Sequence, residues 1–148
     1  MSGANPQAEG LLLLLDTHTW IWLTDGSRKL GEKSKEAIRL AYRESLAVVS
    51  AITPWEIALL VNKGRVTLGQ DVLDWIRASL AIPGLRLAPL EPEIAVASTR
   101  LPFEMQADPA DRILVSTARH LGASLVTADR ALLELAKNGH FRAMDAAV

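Results

Sequence analysis

Five carboxylates in this chain stand where an α/β protein would place reactive groups. Asp16 closes the apolar run "LLLLLD", Glu56 follows "SAITPW", Asp108 and Asp111 open "DPADR", and Asp129 ends "LVTAD". An acidic, all-oxygen donor set suits hard ions such as Mg²⁺ or Mn²⁺, which keep several waters and take one or two carboxylates each. A pair of such ions can activate a water and stabilise the leaving oxygen in phosphodiester hydrolysis. Each acid also has a local explanation. Thr53-Pro54-Trp55-Glu56 matches a capping box, Asp108 before Pro109 and Asp129 before Arg130 match helix N-caps, and Asp111 suits a helix's first turn. Asp16 has the weakest explanation of this kind. As a group, clustered acids repel and must find cations or protons, which capping does not account for.

The elements that would position these acids follow from the apolar patterning. An unbroken apolar run such as residues 11–15 fits a strand buried on both faces, as in parallel sheets covered by helices. Further strands are expected at 46–50, within 83–90, at 123–129 and at 140–144. Helices are expected over 17–26, 32–45, 53–64, 71–81, 92–100, 108–122 and 130–139, with "LPFEMQ" (101–106) as a loop. Strand and helix alternate throughout, which predicts a three-layer α/β/α fold around a parallel sheet. Strand ends and helix beginnings then share one edge of the sheet, so the five acids share it too. Strand order, which decides whether they share one pocket, cannot be read from the pattern.

The chain has 148 residues and is expected to hold one domain, from 11 to 148, behind a small polar leader at 1–10. Nearly half the residues are hydrophobic, which excludes a disordered chain, and 17 acidic against 16 basic residues advertise no bulk affinity for nucleic acid. The absence of cysteine excludes disulfides and thiolate chemistry and fits a cytoplasmic location. The leucine run is too short for a signal-peptide core, and no stretch is long enough to span a membrane.

In order and surroundings, Asp16, Glu56, Asp111 and Asp129, in "LLLLLDTHTW", "SAITPWEIAL", "DPADRILVSTA" and "LVTAD", resemble the PIN-domain nucleases. More narrowly they are similar to the VapC-type toxins of bacterial toxin–antitoxin pairs, over about Leu11 to Met144. One departure is Ala110, where the commoner motif has an aromatic residue; it touches packing beside the site more than its chemistry. The resemblance implies a parallel five-stranded sheet with the first strand central and Mg²⁺- or Mn²⁺-dependent cleavage of RNA. It also implies a homodimer and a cognate antitoxin, through which alone the protein would meet DNA. By matching position, Asp16, Glu56, Asp111 and Asp129 would be the catalytic, metal-binding acids and Asp108 an accessory one.

Around the acids, Thr17, Ser50 and Thr53 are candidates to hydrogen-bond metal waters, Ser50 and Thr53 equally for turn and cap roles. Arg112, Arg130, Lys63 and Arg65 are candidates for a basic rim holding RNA phosphates, against the plainer reading of solvated surface or salt bridges. His18 is not needed by a metal-activated water, and the four tryptophans, recurring on apolar helical faces, suit packing better than base stacking. A haloacid-dehalogenase-type phosphatase would need an aspartate where His18 stands. A response-regulator receiver would need one after the third strand, which ends "LRLAPLEP". Within the resemblance, the alternatives are a housekeeping RNA-processing nuclease and a non-catalytic binding module.

Overall fold

A computed structural model describes residues 11–148; the expected leader at 1–10 lies outside the described residues. Five strands, β1 (Leu13–Leu15), β2 (Ala47–Ser50), β3 (Leu85–Ala88), β4 (Ser124–Thr127) and β5 (Arg142–Asp145), form one sheet in the order β3-β2-β1-β4-β5. Every pairing is parallel, with Leu15 of β1 opposite Val126 of β4.

The leucine run is explained by this central position. Leu13 and Leu15 face one apolar core with Ala47, Val49 and Val126, while Leu14 faces a second with Val48 and Leu125. Alternate side chains of one strand thus anchor two separate layers. The first layer is built on α1 (Thr17–Asp25), α2 (Glu32–Arg43), α3 (Ile52–Asn62) and α4 (Val72–Leu80), through Trp20, Ile38, Ile57 and Trp75. Trp20 and Trp75 meet edge to face there, 5.2 Å between ring centres. The second layer rests on α6 (Pro109–Leu121) and α7 (Arg130–Ala136), through Leu114, Val115 and Leu132. Outside it α5 (Pro92–Ser98) is tied to α6 by the Ser116 hydroxyl, which donates to the Ile94 carbonyl at 2.8 Å.

The expected strands and helices are all present, with ends shifted by one to a few residues. One shift matters. The helix expected to start on a Thr53 cap starts instead at Ile52, straight from the end of β2. Ser50 takes the terminal role, its hydroxyl accepting from the Ile52 amide at 3.1 Å. Thr53 is carried inside the helix and buried, so the Thr53–Glu56 capping box does not form.

The strand order has a functional consequence. The chain runs outward from β1 to β3 on one side, then crosses to β4 on the other. Open α/β sheets bind ligands at such a switch point, outside the carboxyl ends of the strands. Here that crevice lies between the ends of β1 and β4, where Asp16 and Asp129 emerge.

Candidate metal centre

Asp16, Glu56, Asp108, Asp111 and Asp129 all line one cleft of about 570 Å³ at this switch point. Glu56, Asp108 and Asp111 are closest, each offering a carboxylate oxygen within 4.8 Å of the others'. Asp16 and Asp129 complete the wall on the β1 and β4 side.

Each acid is held by the element that delivers it. Asp16, 8 % exposed, caps α1: one carboxylate oxygen accepts from the Thr19 amide at 2.8 Å, the other from the Thr127 hydroxyl at 2.5 Å. The Thr127 hydroxyl in turn accepts from the Asp129 amide at 3.1 Å, so one side chain ties the first acid to the last. Asp129 caps α7 through the Leu132 amide at 3.1 Å, and Asp108 caps α6 through the Asp111 amide at 2.9 Å. Glu56, with no capping duty, accepts at 2.5 Å from the Thr17 hydroxyl. Capping and cleft-lining therefore coexist, because a carboxylate that accepts one amide keeps further lone pairs.

The electrostatics are those of an under-neutralised site. Burial, then Asp108, Glu56, Asp129 and Asp16 in turn, push the Asp111 carboxyl up to about 7. Glu56 is also raised, chiefly by burial and then by Asp108 and Asp16, against the opposing Thr17 hydrogen bond and a small pull from His18. Among the described residues, no Lys or Arg forms an ion pair with any of the five acids. A compact, oxygen-only set that repels itself and lacks a cation fits a hard divalent ion.

Thr17, a candidate to hydrogen-bond metal waters, gives its hydroxyl to the Glu56 carboxylate. Ser50 serves as the turn residue before α3, and the Thr53 hydroxyl is buried without a hydrogen-bond partner among the described residues. None of the four basic candidates lines the cleft. Arg112 donates to the Met105 carbonyl at 2.5 Å and the Ala107 carbonyl at 3.3 Å, bracing the loop before Asp108. Arg130 pairs with Asp145 at 2.6 Å, and Lys63 and Arg65 lie beyond the far end of α3. Two residues of the site carried no sequence signal. Thr127 is recognisable only once β4 is known to neighbour β1, and Lys29 enters the cleft from the turn after α1. A larger hollow of about 860 Å³ lies by β5 and α7, away from the acids, and its Arg130 and Lys137 are already paired.

Residues 13–138 match the PIN domain family model. The chain belongs to the PIN-domain family. Ribonuclease VapC22 of Mycobacterium tuberculosis (strain ATCC 25618 / H37Rv) is 36% identical over 120 residues, covering 81% of this chain and 88% of that one. The DNA-bound VapBC structure from Salmonella typhimurium superposes with a TM-score of 0.64 at 21% identity, covering 91% of this chain and 98% of its own. The structure of VapBC2 from Rickettsia felis bound to a promoter DNA fragment gives 0.66 at 13% identity with the same coverage, 91% and 98%. At these identities the two structures speak for the PIN fold alone. The five-stranded order with β1 central is the PIN arrangement expected from the sequence.

Proposed function

We propose that this PIN domain is a divalent-cation-dependent endoribonuclease acting as the toxin of a toxin–antitoxin pair. The observation that carries the reading is the convergence of Asp16, Glu56, Asp108, Asp111 and Asp129 on one cleft with no basic partner. Its 36% identity to a ribonuclease VapC supports both the substrate class and the toxin role.

In this reading Asp16, Glu56, Asp111 and Asp129 hold Mg²⁺ or Mn²⁺, with Asp108 accessory. A bound ion would supply Lewis-acid activation of water and neutralise charge on the phosphate. The protein's contribution is fixed placement. Thr127 and the Thr19 amide orient Asp16, Thr17 orients Glu56, and the Asp108-capped start of α6 presents Asp111. Ionised carboxylates also remove the proton of the attacking water. Water forms the new P–O bond, the P–O3′ bond breaks, and the proton passes to O3′, leaving a 5′-phosphate and a 3′-hydroxyl.

A shallow apolar groove between α1 and α2, about 360 Å³ and lined by Leu23, Ile38, Tyr42 and Ile82, is the surface we assign to an antitoxin segment. Antitoxin basic groups reaching from it would obstruct the acids. Trp55, 54% exposed on α3, and Leu73, 51% exposed on α4, are assigned to the homodimer contact. No helix among the described residues is long and apolar enough to cross a membrane, and a cytoplasmic setting is proposed with the toxin role.

The test is cleavage of single-stranded or looped RNA with Mn²⁺, with end-group mapping of the fragments. Cleavage is expected to stop in excess EDTA, and cleavage that continues there overturns the mechanism. Growth arrest on expression, relieved by co-expressing a small reading frame found beside the gene, separates a toxin from a housekeeping nuclease.

A further inference from the structure

A cleft with five acids is a poor place for RNA unless something in it also favours phosphate. A divalent ion offsets part of the charge, but the flanking phosphates of a single strand still approach an acidic wall. Of the basic residues outside the cleft, Arg112 and Arg130 are engaged by the Met105 carbonyl and Asp145. Among the described residues, Lys29 is the one Lys or Arg side chain that lines it.

The backbone of Lys29 is pinned at both ends of its turn. Gly26 ends α1 in the left-handed region, at a φ of 67°, which turns the chain back so that the Ser27 amide donates to the Trp22 carbonyl at 2.9 Å. Leu30, 1% exposed, anchors the other side in the core. Next to it the Gly31 amide donates to the Ala146 carbonyl at 2.8 Å, and a Cβ on Gly31 would lie 2.1 Å from the Val148 backbone. Between these anchors the Lys29 amide donates to the Ser27 hydroxyl at 3.2 Å.

The side chain is steered as well. The Lys29 ammonium lies over the Trp22 ring, 6.0 Å from its centre, and Trp22 itself lines the cleft. Lys29 forms no ion pair with any of the acids, so its charge is not consumed inside the protein. The result is a cation, unpaired among the described residues, on a hydrogen-bonded turn and lining the same cleft as the five acids.

We infer that Lys29 is the phosphate clamp of this cleft, binding a backbone phosphate of single-stranded RNA next to the one cleaved, with Trp22 as its positioning residue. This deepens the ribonuclease reading and rests on it for the choice of RNA. Lys29 was not among the basic residues suggested by the sequence, since nothing local separates it from "SRK" on any exposed turn.

The experiment measures anisotropy of a fluorescein-labelled unstructured 12-nucleotide RNA with Mg²⁺, over a range of NaCl concentrations. Asp111→Asn serves as the uncleaving background. Adding Lys29→Gln is expected to lower the slope of log Kd against log salt by about 0.7, the value of one phosphate contact on a single strand. Lys29→Arg should restore it. Trp22→Leu should lose part of the slope, with Trp22→Phe keeping it, a pattern that general loosening would not produce; melting curves confirm that each variant is folded. An unchanged slope in Lys29→Gln, or no RNA binding in the background protein, overturns the assignment. Wild-type protein on the same RNA with Mn²⁺ tests the parent reading separately. A missing cleavage activity beside an intact slope difference would leave Lys29 a clamp on a protein that binds RNA without cutting it.

Discussion

Two sets of carboxylates in this molecule live under opposite rules. On the outer surface Glu32 pairs with Lys35, Glu36 with Arg39, Glu134 with Lys137 and Asp145 with Arg130. The Arg39 hydrogen bond holds Glu36 below the usual carboxylate range, and Arg130 does the same for Asp145. In the cleft the order is reversed. Asp111 and Glu56 are both raised, chiefly by burial and then by the charges of neighbouring cleft acids, Asp108 first among them. Surface pairs of this kind contribute little to stability, so their loss would be minor. The cleft instead carries an unrelieved cost that folding alone would not retain. Outside, each of these acids has a basic partner; inside, none of the five forms an ion pair among the described residues, and that difference is what the proposed divalent ion would relieve.

The largest break in this contrast is loss of a cleft acid. Asp111→Asn and Glu56→Gln are each expected to lower cleavage by on the order of a hundredfold or more, since even residues that only support metal ligands account for about 10–100-fold. Stability of the metal-free protein should hold or rise, because one source of repulsion is gone. Glu36→Gln on α2 is the control and should leave both activity and melting close to wild type. Rate assays and melting curves on the same preparations check both halves.

The next contrast is in pH. An ordinary aspartate releases its proton near 3.8, whereas folded Asp111 keeps it up to about 7. Between those values the folded state binds more protons than the unfolded one, so stability falls as pH rises and levels off above about 7. Glu56 acts in the same direction. Glu36 and Asp145, being lowered, lose their contribution only as pH falls below the usual carboxylate range, outside this window. In EDTA the protein should therefore melt lower at pH 8 than at pH 5.5, and Asp111→Asn should flatten that difference. Mn²⁺ at about a hundred times its dissociation constant should add roughly 2.7 kcal/mol at pH 8. For a chain of this size that is a rise of about 5–10 °C. A flat pH profile in EDTA, or no shift with millimolar Mn²⁺, would argue against a preformed repulsive site.

The same contrast marks what was legible in the sequence. The fold class follows from the alternation of apolar runs and helical patterns along the chain, with the leucine run supplying the strand, Leu13–Leu15, that is buried on both faces. The acids were legible as well, since helix starts and strand ends must share an edge. What pattern could not supply was which side chains meet across elements. Thr53-Pro54-Trp55-Glu56 reads as a capping box, yet α3 starts at Ile52 against β2 and frees Glu56 for Thr17. Arg112 and Arg130 look like free cations until the Met105 carbonyl and Asp145 claim them. Thr127 became visible only through the register of β1 on β4. Each of these depends on a partner distant in sequence, where local spacing carries no information.

The smallest expected effect lies where the two rules meet, at Asp108. It is exposed and caps α6 like any surface N-cap, yet one of its carboxylate oxygens lies within 4.8 Å of Glu56 and Asp111. Its cap bond runs to the amide of Asp111 itself, so losing it loosens the residue that presents the neighbouring acid. Cap and charge separate by choice of substitution. Asp108→Ser keeps a capping oxygen without the charge, whereas Asp108→Ala removes both. Asp108→Ala should cost about 1 kcal/mol of stability and Asp108→Ser much less. Both should retain partial cleavage, with Asp108→Ser the more active if placement of Asp111 matters more than the fifth charge. Equal activity in the two would assign the loss to charge, making Asp108 a metal ligand in its own right. A dead Asp108→Ser beside an active Asp111→Asn would mean that the roles of the two aspartates are exchanged.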